Sequence, residues 1–175
     1  MASILNVDQI KNAAGTAAMT IDSSGRVFRS VVPAFSVYLN STHNIASAAT
    51  DEKIVFDTEI FDHGSGFNTT TGEYTVPVTG LYQINFNLNF SGSGQTARYV
   101  RGRLYKNGSY SSDMVQVHNH LSDESGNADY AQCGLSTVLD LTANDVLSVY
   151  AATSNDALVV APAVRSTHFS GYLIG

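Results

Sequence analysis

The sequence predicts an all-β sandwich or jelly roll, and three observations carry that expectation. From Tyr82 to Phe90 apolar and polar residues alternate without a break, with Tyr82, Ile84, Phe86, Leu88 and Phe90 set against Gln83, Asn85, Asn87 and Asn89. That is the period-two pattern of a strand with one buried face. A second row of the same kind runs through Cys133, Leu135, Thr137, Leu139 and Leu141. Turn residues recur between short β-prone runs, among them Gly64-Ser65-Gly66, Asn107-Gly108 and Asn144-Asp145, and no stretch carries the period of a long helix. Roughly eight to ten short strands with turns between them fit a two-sheet architecture.

Composition agrees. Charged residues make up 14% of the chain, against about a quarter in ordinary soluble domains. The deficit favours a shell of Ser, Thr, Asn and Tyr over a helical surface coated in Glu and Lys. A length of 175 residues allows one domain with a short appendage. With a net charge of -6 and no dense cluster of Lys or Arg, nucleic acid is excluded as a partner. Cys133 is the only cysteine, so no intrachain disulfide forms and the residue reads as a small buried hydrophobe. There is no basic segment leading into an apolar run at the start, and no apolar stretch of membrane-spanning length. The expectation is a chain made in the cytoplasm, unprocessed and not inserted in a membrane. Without a secretory signal, the Asn-x-Ser/Thr triplets at Asn40, Asn68, Asn89 and Asn107 are no sign of glycosylation.

Residues 1–33 differ from the rest. Asn6 can cap a short helix over residues 7–11, with Gln9 as its reciprocal partner and Gly15 as terminator. Residues 19–22 and 26–28 then read as a small hairpin about a turn at Ser23-Ser24-Gly25. Neither piece is stable alone in water. Ile4, Leu5, Val7, Ile10, Met19, Ile21, Val27 and Phe28 are therefore expected to be buried against another chain, which makes this segment an anchor. Pro33 marks the boundary with the domain at 34–175. There residues 34–39 alternate, with Phe35, Val37 and Leu39 on one face, and 40–52 read as loop. Strands are expected at 53–56, 59–61, 72–76, 80–90, 99–105, 114–120, 133–141, 146–152 and 168–174, with a polar loop at 122–129.

On the strand at 82–90 the polar face is a row of Gln and Asn without one charge. A face meeting only bulk water usually carries some Lys or Glu, so Gln83, Asn85, Asn87 and Asn89 are expected to lie near another chain.

The ordered set Ala34-Phe35-Ser36-Val37, Val55-Phe56-Asp57, Gly72 through Tyr82, Lys106-Asn107-Gly108, Leu139 through Val146 and Phe169-Ser170-Gly171-Tyr172-Leu173 resembles the C1q-type globular head. That domain belongs to the wider tumour necrosis factor-like group. The resemblance covers about residues 34 to 175. It implies a ten-stranded jelly roll that associates as a homotrimer, binds ligands on its outer surface and sets the strand at 82–90 in the inner sheet, facing the threefold axis. The chain departs from vertebrate members in having neither a secretory signal nor a collagen-like stalk. Residues 2–10, Ala14-Gly15-Thr16 and residues 21–27 resemble the leader of virion fibre and decoration proteins of tailed bacteriophages.

Catalytic patterns are missing: the sequence has no Walker loop, GxGxxG, GxSxG, HExxH or EF-hand motif. No cofactor is expected. His118 and His120 share a strand face and, with Asp123 from the next loop, form the best metal-like cluster. A pair of surface histidines beside a solvated acidic loop is the simpler reading. Tyr99, Tyr105, Tyr110, Tyr130 and Tyr150 lie outside the core rows and suit glycan or protein recognition, although tyrosine is also an ordinary strand residue. The expectation is a non-enzymatic homotrimer on a phage particle, as tail fibre, knob or capsid decoration, held to other virion proteins by residues 1–33 and acting in host attachment. The alternative is a soluble C1q-type lectin or adhesin that binds surface glycans or proteins outside any virion. A cupin-like enzyme using His118 and His120 is the third class, and it lacks the second ligand motif such a site needs.

Overall fold

A computed structural model describes residues 7–29, 32–45, 49–91, 99–110, 114–120, 130–154, 159–160 and 165–175. The chain forms two compact units, Met1–Val32 and Pro33–Gly175. No α-helix occurs among the described residues.

The first unit is an antiparallel meander of β1 (Gln9–Lys11), β2 (Ala17–Ile21) and β3 (Val27–Arg29). The expected helix over 7–11 is corrected to strand β1. A helix that short closes almost none of its own hydrogen bonds, whereas β1 pairs with β2 at Gln9↔Thr20, Ile10↔Met19 and Lys11↔Ala17. Gly15, at φ +86°, closes the turn between them instead of ending a helix. The hairpin of β2 and β3 forms as expected. At its turn one Asp22 carboxylate oxygen accepts the N–H groups of Ser24 and Arg26, each at 2.9 Å.

The second unit contains β4 (Ala34–Tyr38), β5 (His43–Asn44), β6 (Glu52–Lys53), β7 (Thr58–His63), β8 (Phe67–Asn68), β9 (Glu73–Thr75), β10 (Gly80–Ser91), β11 (Tyr99–Lys106), β12 (Gln116–His120), β13 (Tyr130–Leu141), β14 (Val146–Thr153), β15 (Val159–Val160) and β16 (His168–Leu173). One sheet runs β5-β15-β10-β16-β4-β7, with β13 on the other edge of β10; the second runs β12-β11-β14-β9-β8, with β6 added to β14. The count exceeds ten because β5, β6, β8 and β15 are two-residue pairings. β5 and the first residue of β6 fall in the stretch expected to be loop. The strand expected over 53–56 is confined to β6, and beyond it Ile54 and Phe56 are fully buried outside any strand.

Strand β10 is the centre of the first sheet. Its Tyr82, Ile84, Phe86, Leu88 and Phe90 are all buried, and each contributes roughly 1.5 to 3 kcal/mol relative to exposure. Across the sandwich lie Val100 and Leu104 of β11 and Leu147, Val149 and Ala151 of β14. Phe35 stacks on Tyr74 at 4.0 Å and meets Phe169 edge-on at 4.8 Å. Cys133 belongs to the same core, and burial pushes its thiol up to about 12, so it packs as a hydrophobe.

At Gly102 of β11 the facing side chains leave no room for a Cβ. A methyl group there would stand 2.5 Å from Phe86 Cε2 and 3.2 Å from Cys133 Sγ. Gly102→Ala is therefore expected to lower unfolding free energy by about 1–3 kcal/mol through overpacking, with urea denaturation as the measurement. An unchanged midpoint would show that Phe86 can yield.

Candidate functional site

The register of the first sheet fixes which side chains stand together on its outward face. Val138, Gln83, Tyr172, Ala34 and His63 make one row across β13, β10, β16, β4 and β7. Ser136, Asn85, Ser170, Ser36 and Phe61 make the next, and Gly134, Asn87, His168, Tyr38 and Thr58 the third. None of the three rows contains Asp, Glu, Lys or Arg. Apolar side chains gather at one end, where Val138, Tyr172 and neighbouring Leu81 are 51%, 49% and 46% exposed. Charge enters only at the margins, with exposed Asp140 opposite Leu81 and the Arg165 guanidinium 5.3 Å over the Tyr38 ring, and three uncharged rows that also expose large apolar groups are the kind of surface soluble chains cover.

Within the face the polar groups are already tied together. Gln83 Nε2 donates to Asn85 Oδ1 at 3.1 Å and to Ser136 Oγ at 2.9 Å, and Asn87 Nδ2 donates to the carbonyl of Ser166. Gly134 leaves room for this arrangement, because a Cβ there would stand 2.8 Å from Asn87 Oδ1. The result is a flat, pre-ordered surface that loses little side-chain entropy when covered.

Three of the four residues expected at an interface, Gln83, Asn85 and Asn87, lie on this face half-buried. Asn89 does not. It is 5% exposed in the lone chain, its N–H donates to Thr167 Oγ1 at 3.1 Å and its Oδ1 accepts from Gln132 Nε2 at 3.3 Å. The row along one strand was legible in the sequence, whereas Tyr172, Phe61, Tyr38 and His168 join the face only through pairing between strands far apart in the chain. Ser136 and Val138 could have been found as the outward partners of the buried row on β13.

The metal-like cluster is not assembled by what is described. The His118 ring stacks on Tyr99 at 5.4 Å. The His120 side chain and Asp123 lie outside the described residues. Among the described residues no group of three His, Cys, Asp or Glu stands close enough to hold a metal ion.

In the first unit, pairing sorts the anchor residues by face. Ile10 opposes Met19, and Ile21 opposes Val27, on one side of the meander; Phe28 opposes Thr20 on the other. Ile10 and Val27 are about half exposed, while Met19, Ile21 and Val7 are partly covered. Phe28, also half exposed, has the Arg26 guanidinium 5.8 Å over its ring. Ile4 and Leu5 lie outside the described residues.

Two packed antiparallel sheets in this strand order, with β10 flanked by β13 and β16, define a jelly-roll sandwich of the C1q and tumour necrosis factor type. The C1q domain family model matches residues 34–174, and the chain belongs to that family. Solved structures show the same fold at low identity. The globular domain of zebrafish complement 1qA protein is 22% identical with a TM-score of 0.57, over 82% of this chain and 98% of that one. Eiger TNF from S. frugiperda is 14% identical with a TM-score of 0.61, over 83% and 94%. Murine APRIL is 12% identical with a TM-score of 0.59, over 81% and 98%.

Proposed function

We propose that the protein is a non-enzymatic component of a tailed-phage virion: a homotrimer displayed on the particle surface as fibre, knob or capsid decoration, held there by its first unit and serving in host attachment. The three uncharged rows on the outward face of the first sheet carry this reading. Closed rotational symmetry covers such a face in every copy and leaves no open surface for runaway association. Membership of the C1q domain family supports a threefold arrangement. The virion assignment rests on the leader-like residues 2–10, 14–16 and 21–27, and on a meander whose Ile10, Met19, Ile21 and Val27 share one face.

The meander leaves Ile10, Val27 and Phe28 about half exposed, and apolar groups that a partner would cover are what an anchor segment requires. Three such segments on one axis act together and bind far more tightly than one. Light scattering of the full chain at micromolar concentration tests the oligomer. The expected mass is three times 18.7 kDa, and a well-folded species at 18.7 kDa would overturn it.

A further inference from the structure

We propose that the outward face of the second sheet is a binding platform for acidic saccharides, formed by Tyr105, Tyr110 and Tyr150 around the paired guanidiniums of Arg101 and Arg103. The inference rests on the attachment role proposed above and names its ligand class.

Alternation along β11 creates the platform. Val100, Gly102 and Leu104 are buried, so Arg101, Arg103 and Tyr105 point away from the core. Across the ladder Arg103 opposes Tyr150 of β14. The Tyr105 and Tyr150 rings stack with centroids 3.8 Å apart and 24° between their planes, and the Tyr110 ring is 5.9 Å from Tyr105. Arg103 lies with its Cζ 4.5 Å over the face of Tyr110. Three aromatic rings and two guanidiniums thus form one continuous patch.

One carboxylate holds the charged groups in place. Asp51 accepts from Arg101 Nε at 3.2 Å, from Arg101 Nη2, from Arg103 Nη1, and from the Tyr105 hydroxyl at 2.8 Å. Arg103 Nε also donates to Gln116 Oε1 at 2.8 Å. The segment around Asp51 is also held to the sheet by the pairing of β6 with β14 and by the Ala49 N–H on the Thr153 carbonyl, so two arginines exceed what its attachment uses. Nearby Lys53 is matched by Glu73 at 2.7 Å. Among the described residues Asp51 is the one carboxylate paired with these two guanidiniums, so this described trio carries one positive charge on a chain whose net charge is -6.

That combination selects a chemistry. Tyrosine rings offer flat, amphipathic faces for the C–H surface of a pyranose, with hydroxyls beside them for sugar oxygens. The Arg103 guanidinium, with Nε held by Gln116 and Nη1 by Asp51, has its Nη2 edge left for a ligand carboxylate among the described residues. A neutral sugar would use the rings and leave the excess charge unmatched. The platform lies on the sheet opposite the one proposed to self-associate, so the two surfaces do not compete.

The test titrates the full chain by calorimetry with oligogalacturonate and oligosialate, and with a neutral oligogalactose of equal length. At least one acidic saccharide is expected to bind about tenfold more tightly than the neutral one, and that preference to fall about tenfold in Arg103→Gln and in Tyr110→Ala. Arg29→Gln, in the first unit, should bind as the unaltered chain does. Tyr110→Ala removes one half-buried ring and leaves the Asp51 bonds in place, so it carries the test if Arg103→Gln fails to fold. Absence of binding by both acidic saccharides, equal binding of the neutral one, or unchanged binding in both platform variants overturns the proposal. Oligomer mass and particle incorporation are read separately, so loss of the ligand reading is distinguishable from loss of the display reading.

Discussion

Asn87→Arg is expected to split the proposed trimer into 18.7 kDa chains that remain folded. Asn87 sits in the middle of the outward face, between Gly134 on β13 and His168 on β16. Its neighbours in sequence, Phe86 and Leu88, point into the core, so the change leaves core packing alone. In a threefold assembly the variant would set three like charges around one axis, with no acidic side chain in any of the three rows. An unpaired charge buried in this way costs roughly 3–5 kcal/mol, more than a modest trimer withstands. Light scattering reads the mass, and circular dichroism confirms that the strands persist. A variant that stays trimeric would show that this face is not the interface.

Asp51→Ala acts on the other sheet and on stability. It strips the acceptor from Arg101, Arg103 and Tyr105 together. We expect a loss of about 2–4 kcal/mol at pH 7, below the full cost of breaking a buried pair because the Arg103 guanidinium still reaches water. The pH dependence has a definite sign. Burial alone would raise the Asp51 carboxyl, but the donors from Arg101, Tyr105 and Arg103 outweigh it and hold the group below its ordinary 3.8. A depressed carboxyl contributes fully above its unfolded value and loses that contribution as pH falls through the folded one. Glu73, held down first by Lys53, and Asp57 and Asp145, held down by hydrogen bonds that outweigh burial, act in the same direction. The unaltered protein should therefore lose stability steeply below about pH 4, and the gap between it and Asp51→Ala should narrow there. Urea denaturation at pH 7 and pH 3 measures both, and a gap independent of pH would contradict the assigned role of Asp51.

What was legible in the sequence follows from the range of the forces involved. The strands expected at 80–90 and 133–141 were readable because burial on one face imposes period two on contiguous residues, although the second begins earlier, at Tyr130. The turn at Asn107-Gly108 was readable because both residues adopt positive φ, which few others tolerate. The helix over 7–11 was misread because its capping signals are local, while the pairing of Ile10 with Met19 that decides the outcome is not. Asn89 followed the pattern of its strand yet is covered by Thr167 and Gln132, residues no window around it contains. The tyrosines of the platform were visible one at a time. Their gathering, and the hold of Asp51 on arginines about fifty residues away, depends on β11 lying beside β14.

Display on a particle is tested most directly by a chain beginning at Val31, compared with the full chain for recovery on particles assembled without the native protein. The account predicts that the shortened chain folds, melts within a few degrees of the full chain and forms the same trimer. It also predicts that only the full chain is recovered with the particles. A shortened chain that still decorates them, or a full chain that never does, would contradict the anchoring role of the first unit.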